Sequence, residues 1–322
     1  MRDVVVIGGG LSGLSACYEL EKHKIRYTVI EVKPRFGGSI VSAQAQGFTV
    51  DGGVFATQNS PKWSILQELG LDDALFELDA GDVGFKAGTE SLISALASKL
   101  TKGRLMRMAV SSIGELNGQF TICMENGMMY DAKSIIVAIP ARFAERLFYT
   151  FVPEISERLR DYHYDTIFRV ALGYHKRDLP TPLGEPYDIN YPYVFSTDHP
   201  SRVPDHDHLL IQTGVRARST ANPEHAIQDV IQHFGWGENP IIKQVHYWAE
   251  ADPLSCFDDN FHENRIAINK LLPAGISLIG SDYSEALPQH KMVARLDDRI
   301  KQGQQAAQQA IAYLKARKNA NS

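Results

Sequence analysis

Residues 3–31 read DVVVIGGGLSGLSACYELEKHKIRYTVIE. A β-branched run at 3–7, a glycine cluster, apolar residues at helical spacing through LSACYELEKH and a second β-branched run, YTVIE, predict strand, turn, helix and strand in succession. Gly8, Gly10 and Gly13 fill G-x-G-x-x-G directly after the first strand, and Glu31 closes the second at the spacing of a ribose-binding acid. A glycine triplet alone is a weak signal. Between two strands, opening a helix and followed by the acid, it predicts a dinucleotide site.

Each position has a physical reason. Gly8 permits the tight turn, Gly10 lets the backbone approach a pyrophosphate, and Gly13 lets helix and strand pack closely. The N-terminus of the helix, with Ser12 in its first turn, offers unpaired N–H groups and the positive end of the dipole to the phosphates. Glu31 accepts hydrogen bonds from two ribose hydroxyls, which argues against a 2′-phosphate.

Working outward, VKPRFGGSI follows at 32–40 and GFTVDGGVFAT at 47–57. The succession resembles the flavin-containing amine oxidase and protoporphyrinogen oxidase superfamily. The resemblance implies an FAD cofactor, with Arg35, Gly37, Gly38 and Ser39 running along it. It also implies that a second paired-glycine segment, Gly52 and Gly53 with Val54, passes close to the flavin ring. NAD-dependent dehydrogenases lack both features.

The likeness recurs along nearly the whole chain. GTESLISALASKL (88–100) is similar to the family's helix after the first cap segment, and residues 104–140 to its three-stranded hairpin and return strand, with Val110 where a backbone group contacts adenine. HYWAEADPL (246–254) resembles the strand before the flavin. Residues 276–311 resemble the closing strand, turn and helix. That last segment also reads without the family: a strand at 276–279, a Gly-Ser-Asp turn at 280–282 and a helix from about 294 put a carboxylate and a helix N-terminus at the carboxyl end of a parallel strand. With Gly280 in the turn, Asp282 is expected to hold a ribityl hydroxyl. The helix start at Leu296 is expected to face the flavin N1–C2=O edge, stabilising the anionic reduced ring. One departure is visible: where relatives carry a Gly-Ala pair early in this helix, counting back from Gly303 gives Asp298 and Arg299.

Larger relatives insert a helical substrate region, often membrane-facing, where only residues 54–87 stand here. The substrate region is therefore expected from 141–270, where FRVALGY, YPYVF, LLIQTGV and KQVHYW predict a curved antiparallel sheet over the flavin. Chemistry in such a site belongs to the cofactor, and the protein positions and desolvates. Candidate catalytic residues are Trp248, where a family aromatic approaches the flavin; Arg169, near the family's lysine; and Tyr283. Trp248 also reads as a core residue, Arg169 as a surface arginine and Tyr283 as a turn residue. Arginine cannot act as a base, so Arg169 favours an anionic substrate or anionic flavin. Cys256 lies near where monoamine oxidases attach FAD covalently, although a plain thiol is the simpler reading.

Composition excludes several classes. With 33 basic and 38 acidic residues the net charge is −5, which argues against nucleic acid. Three separated cysteines and no CxxC support neither a disulfide framework nor a thiolate metal site, and fit a cytoplasmic setting. No run approaches a membrane span. His199, His206 and His208 with Asp205 and Asp207 sit in a proline- and charge-rich loop, read as solvated rather than metal-binding, and GLSG at 10–13 is not a nucleophile elbow.

The expected fold class is α/β: a Rossmann-type FAD domain from 1–55, 88–140 and 271–316, a reduced cap segment at 56–87, a smaller antiparallel substrate domain at 141–270, and a frayed tail at 317–322. The expected function is hydride transfer from a small amine or tetrapyrrole-like substrate to flavin N5, with O2 or another acceptor reoxidising FAD. Two alternatives stand beside it: an NAD(P)H-dependent flavin hydroxylase or reductase, suggested by GSDYSEALP, and a non-catalytic FAD-binding or redox-sensing protein, suggested by the short cap. The expected partners are a small-molecule substrate and a second copy of the chain, which could compensate for the short cap.

Overall fold

A computed structural model describes residues 2–59, 63–78, 81–181, 183, 191, 193–217, 222–253, 260–284 and 295–320. Strand β1 (Arg2–Ile7) leads into helix α1 (Leu11–Lys22) and strand β2 (Tyr27–Glu31), which pairs parallel to β1. The quoted stretch therefore folds as its pattern predicts.

Strand β8 (Gly103–Met106) extends the sheet beyond β2, and β11 (Met129–Val137) pairs parallel on the other side of β1. Strand β10 (Gln119–Met124) pairs antiparallel with β11, and β9 (Val110–Leu116) antiparallel with β10. Near the C-terminus, β16 (Ile276–Leu278) returns parallel beside Ile135–Val137.

The sheet is covered on both faces, as a mainly parallel sheet requires. Val4 and Val6 point into a core with α1, α3 (Glu90–Ser98) and the long α8 (Leu296–Ala320). Val5 and Ile7 point into a second core with α4 (Ala141–Phe148), α5 (Pro153–Arg160) and α7 (Phe261–Leu271). Those three helices fall almost wholly in the 141–270 stretch, α7 running one residue past it, so the stretch is only partly sheet. Helix α8 continues to Ala320, past the point where the sequence suggests fraying.

A four-stranded antiparallel sheet runs in the order β13 (Val194–Thr197), β14 (His208–Arg216), β12 (Tyr164–His175), β15 (Ile242–Pro253). Alternation assigns its faces. Phe168, Val170, Leu172 and Tyr174 pack under α6 (Pro223–Phe234), whose N-cap Asn222 accepts from the His225 N–H. Ala171, Leu210 and Ile242 pack on Phe48 and Val50 of β4 (Phe48–Asp51), which forms a hairpin with β3 (Ser42–Ala45).

The short interval after the paired glycines has its own structure. Strands β5 (Thr57–Gln58), β6 (Leu75–Glu77) and β7 (Asp82–Phe85) form a three-stranded sheet, with α2 (Ser64–Leu69) between β5 and β6. Among the described residues no helix is long and apolar enough to cross a membrane.

Candidate active site

A cleft of about 420 Å³ opens at the carboxyl ends of the parallel strands and runs to the antiparallel sheet. This is where α/β sheets bind ligands. Gly8, Gly10, Ser12 and Glu31 line one part of it, Gly37, Gly38, Ser39 and Val110 its length, and Trp248, Gly280, Asp282 and Tyr283 the remainder.

The glycines divide by what surrounds them. Gly8 has φ +103°, and a side chain there would run into the Ala138 carbonyl. A Cβ at Gly13 would overlap the Gly8 carbonyl oxygen, so this glycine serves the close crossing of helix and strand. At Gly10, the N-cap of α1, a Cβ would meet nothing within 4 Å, and the residue faces the cleft. That open approach beside the unpaired first-turn N–H groups of α1 fits a pyrophosphate.

Buried Glu31 is held from both sides: Oε2 accepts from Gly9 N at 2.7 Å and Oε1 from Lys33 N at 2.8 Å. Arg35 does not line the cleft. Its guanidinium donates to the carbonyls of Phe36 and Ile40 at 2.9 Å and Gly38 at 3.0 Å, bracing the loop that presents Gly37 and Gly38.

The paired glycines, expected beside the flavin, do not line the cleft themselves but pack behind it. A Cβ on Gly53 would overlap the Ser39 carbonyl oxygen, and the His246 ring lies against Gly52. Trp248 donates from Nε1 to the Gly52 carbonyl at 2.6 Å, with Lys33 Nζ 5.3 Å from its ring centre. Val54 is buried outside the cleft, its carbonyl accepting from Thr89 Oγ1 at 2.7 Å. Burial and the Arg35 charge hold the His246 imidazole below its usual pKa.

Asp282 lines the cleft but is engaged elsewhere. Its Oδ2 accepts from Ala141 N, the first residue of α4, at 2.8 Å and from the Tyr164 hydroxyl, while Oδ1 accepts from Ser281 Oγ at 3.1 Å. Burial pushes its carboxyl above the ordinary 3.8, against the lowering pull of these donors. Burial and neighbouring Asp282 push the Tyr164 and Tyr283 phenols up. Tyr283 donates to the Ile139 carbonyl at 3.1 Å.

At the start of α8, Leu296 is buried, outside the cleft, and donates its N–H to Thr57 Oγ1 at 3.3 Å. The first turn carries Asp297 and Asp298, and it is Arg299 that lines the cleft. Arg169 stands apart from the cleft, on the same sheet face as His246, its cross-strand partner; Nη1 donates to Tyr193 Oη at 2.9 Å. Cys256 lies outside the described residues.

Pattern reading misses Lys33, Met108, Phe143, Arg146 and Ser281, which also line the cleft. Proximity to the glycine turns signals Lys33 and Ser281; no periodicity signals the others. It also misses Arg202, in the loop read as solvated: the side chain is fully buried and paired with Asp51 at 2.7 Å. In the same loop Asp205, His206 and Asp207 are exposed, and Asp205 Oδ1 bonds His208 Nδ1 at 2.5 Å.

A dinucleotide fingerprint whose cleft leads to the face of an antiparallel sheet defines a two-part architecture of dinucleotide-binding type. The chain belongs to the flavin containing amine oxidoreductase family, whose profile matches residues 74–258, more than half of its length; a profile of the NAD(P)-binding Rossmann-like domain matches 6–69. Among curated relatives, coproporphyrinogen III oxidase of Propionibacterium freudenreichii subsp. freudenreichii is 32% identical over 80 residues, 24% of this chain and 15% of that protein. Flavin-containing amine oxidase A of Bos taurus is 55% identical over 38 residues, 12% of this chain and 7% of that protein. Matches of this kind span only a small part of the relatives' length. Among solved structures, one from Exiguobacterium sp. 255-15, provisionally named a protoporphyrinogen oxidase, superposes with a TM-score of 0.73 at 14% identity, covering 95% of this chain and 98% of that one. Wild-type putrescine oxidase bound to putrescine gives 0.70 at 14%, covering 97% and 99%. These two share the fold.

Proposed function

We propose that the protein is an FAD-dependent oxidoreductase that takes a hydride from a small amine or tetrapyrrole-like substrate and is reoxidised by O2 or another acceptor. The observation that carries this reading is the continuous cleft from Gly10 and Glu31 to Trp248. When bound, FAD supplies the electron-accepting ring. The first turn of α1 and Gly10 hold the pyrophosphate, Glu31 the adenosine ribose, and Val110 the adenine edge. Ser281, Arg299 and the turn at Gly280 are the chain's groups toward the ribityl and flavin end, with Asp282 fixing that turn through Ala141 and Tyr164.

Trp248, tied to the Gly52 carbonyl, lines the cleft and excludes water on the sheet side. Arg169, which stands outside the cleft and donates to Tyr193, takes no part in the reaction and moves no proton.

Anaerobic addition of an amine panel, protoporphyrinogen and NAD(P)H to the flavin-loaded protein tests the reaction class. Rapid loss of the oxidised flavin bands with an amine or porphyrinogen is expected. Bleaching by NAD(P)H alone would replace this reading with a reductase or hydroxylase.

A further inference from the structure

Asp51 and Arg202 form an ion pair with both side chains 0% exposed, 151 residues apart in sequence. Replacing a buried pair by apolar residues is often neutral or stabilising. Stability alone is therefore a weak reason for this one, and Arg202 Nε has no hydrogen-bond partner among the described residues.

What the pair connects is more informative. Asp51 Oδ2 accepts from Arg202 Nη2, and Oδ1 accepts from Ser42 Oγ at 2.5 Å and from Thr89 N, just before α3, at 2.9 Å. Its backbone is gripped by one side chain: Gln212 Oε1 accepts from Asp51 N at 3.2 Å, and Gln212 Nε2 donates to Asp51 O at 2.6 Å. Arg202 Nη1 donates to the Phe85 carbonyl at 2.7 Å, and its guanidinium lies 5.0 Å from the Phe55 ring centre.

The next residue after Asp51 is Gly52, whose N–H donates to the Val41 carbonyl at 2.9 Å and whose carbonyl receives the Trp248 indole. The ion pair thus fixes the chain at the entrance to the paired-glycine segment, and Arg202 grips Phe55 just beyond it. β3, β7 and β14 are anchored to the same point.

We propose that Arg202 is a positioning residue: through Asp51 it sets the placement of Gly52–Gly53 and of Trp248, whose indole is tied to the Gly52 carbonyl, and so the cleft wall against which the flavin is seated. The second half of that statement rests on the cofactor reading above. The first half concerns the chain alone.

The test uses Arg202→Lys, which keeps the charge but not the fork, and the double variant Asp51→Asn/Arg202→Met, which removes both buried charges. Amide hydrogen exchange is followed in the purified proteins with Tm and FAD affinity. A positioning role predicts exchange in peptide 50–56 at least fivefold faster than wild type while α1 is unchanged, and FAD bound about tenfold more weakly, even where the double variant regains the wild-type Tm. Exchange at 50–56 within twofold of wild type, or a rise shared equally by α1 and 50–56, overturns the proposal. If the double variant does not fold, Arg202→Lys decides by the same exchange criterion. A wild-type protein that takes up no FAD would sink the cofactor reading, while the exchange result still judges the placement of the glycines.

Discussion

Gly10 and Gly13 stand three positions apart in one fingerprint, yet their surroundings predict opposite outcomes. Gly13→Ala drives a methyl group into the Gly8 carbonyl and is expected to destabilise by about 1–3 kcal/mol, the range for overpacking. Gly10→Ala meets no atom and is expected to change stability by less than about 0.5 kcal/mol. The same substitution narrows the phosphate approach and should weaken FAD binding about tenfold, roughly 1.4 kcal/mol. Urea unfolding and FAD titration of the two variants separate these effects. Glu31→Gln keeps an acceptor for only one of the two N–H groups it now serves, from Gly9 and Lys33, and is expected to lower FAD affinity by roughly tenfold in the same titration.

At the scale of elements, α8 and the Gly280 turn each expose a competition of forces. Alanine is a better helix former than glycine by about 1 kcal/mol. At Gly303, however, a methyl group would collide with the Ser12 carbonyl and the Ala16 N–H of α1. Gly303→Ala is therefore expected to lower Tm, by about 2–4 °C if the net loss is near 1 kcal/mol; a raised Tm would mean that α1 and α8 can separate slightly. Asp282 links the turn to α4 and β12 with a carboxyl whose pKa burial raises above 3.8. A raised folded pKa means that the folded state holds the proton more tightly than the unfolded chain. Its contribution is complete below pH 3.8 and is lost as pH rises through the folded value. Asp282→Asn keeps an acceptor for Ala141 N and the Tyr164 hydroxyl without a charge to bury. Relative to this variant, wild type should lose stability as pH rises above about 4, as read from urea unfolding at several pH values; a wild type that gains stability with that rise would contradict the burial argument.

Across the whole molecule, legibility in the sequence follows the range of the interactions. The βαβ unit, the return strands and the closing helix are dictated by local periodicity and glycine placement, and they fold as read. The alternating strands of the four-stranded antiparallel sheet are also legible, because one face is buried under α6. Residues 141–160 and 261–271 carry helical faces that complete the second core of the parallel sheet, and that partnership is set by packing across more than a hundred residues. Asp282 reads locally as a cofactor ligand, because nothing near it in sequence announces Ala141 or Tyr164 as partners. Arg202 is the clearest case: its neighbours His199, Pro200, Pro204 and Asp205 read as solvent-facing loop, whereas its partner Asp51 is brought to it only by the folded sheet.

The measurement that tests the central claim most directly is the absorbance spectrum of the purified protein before and after acid precipitation, with the released cofactor identified and counted. The cleft predicts flavin bands that leave with the supernatant as FAD, close to one per chain, and return when FAD is added back. A yellow precipitate would place the cofactor on a covalent bond, with Cys256 the first residue to replace. A colourless protein that FAD does not reconstitute would contradict the account.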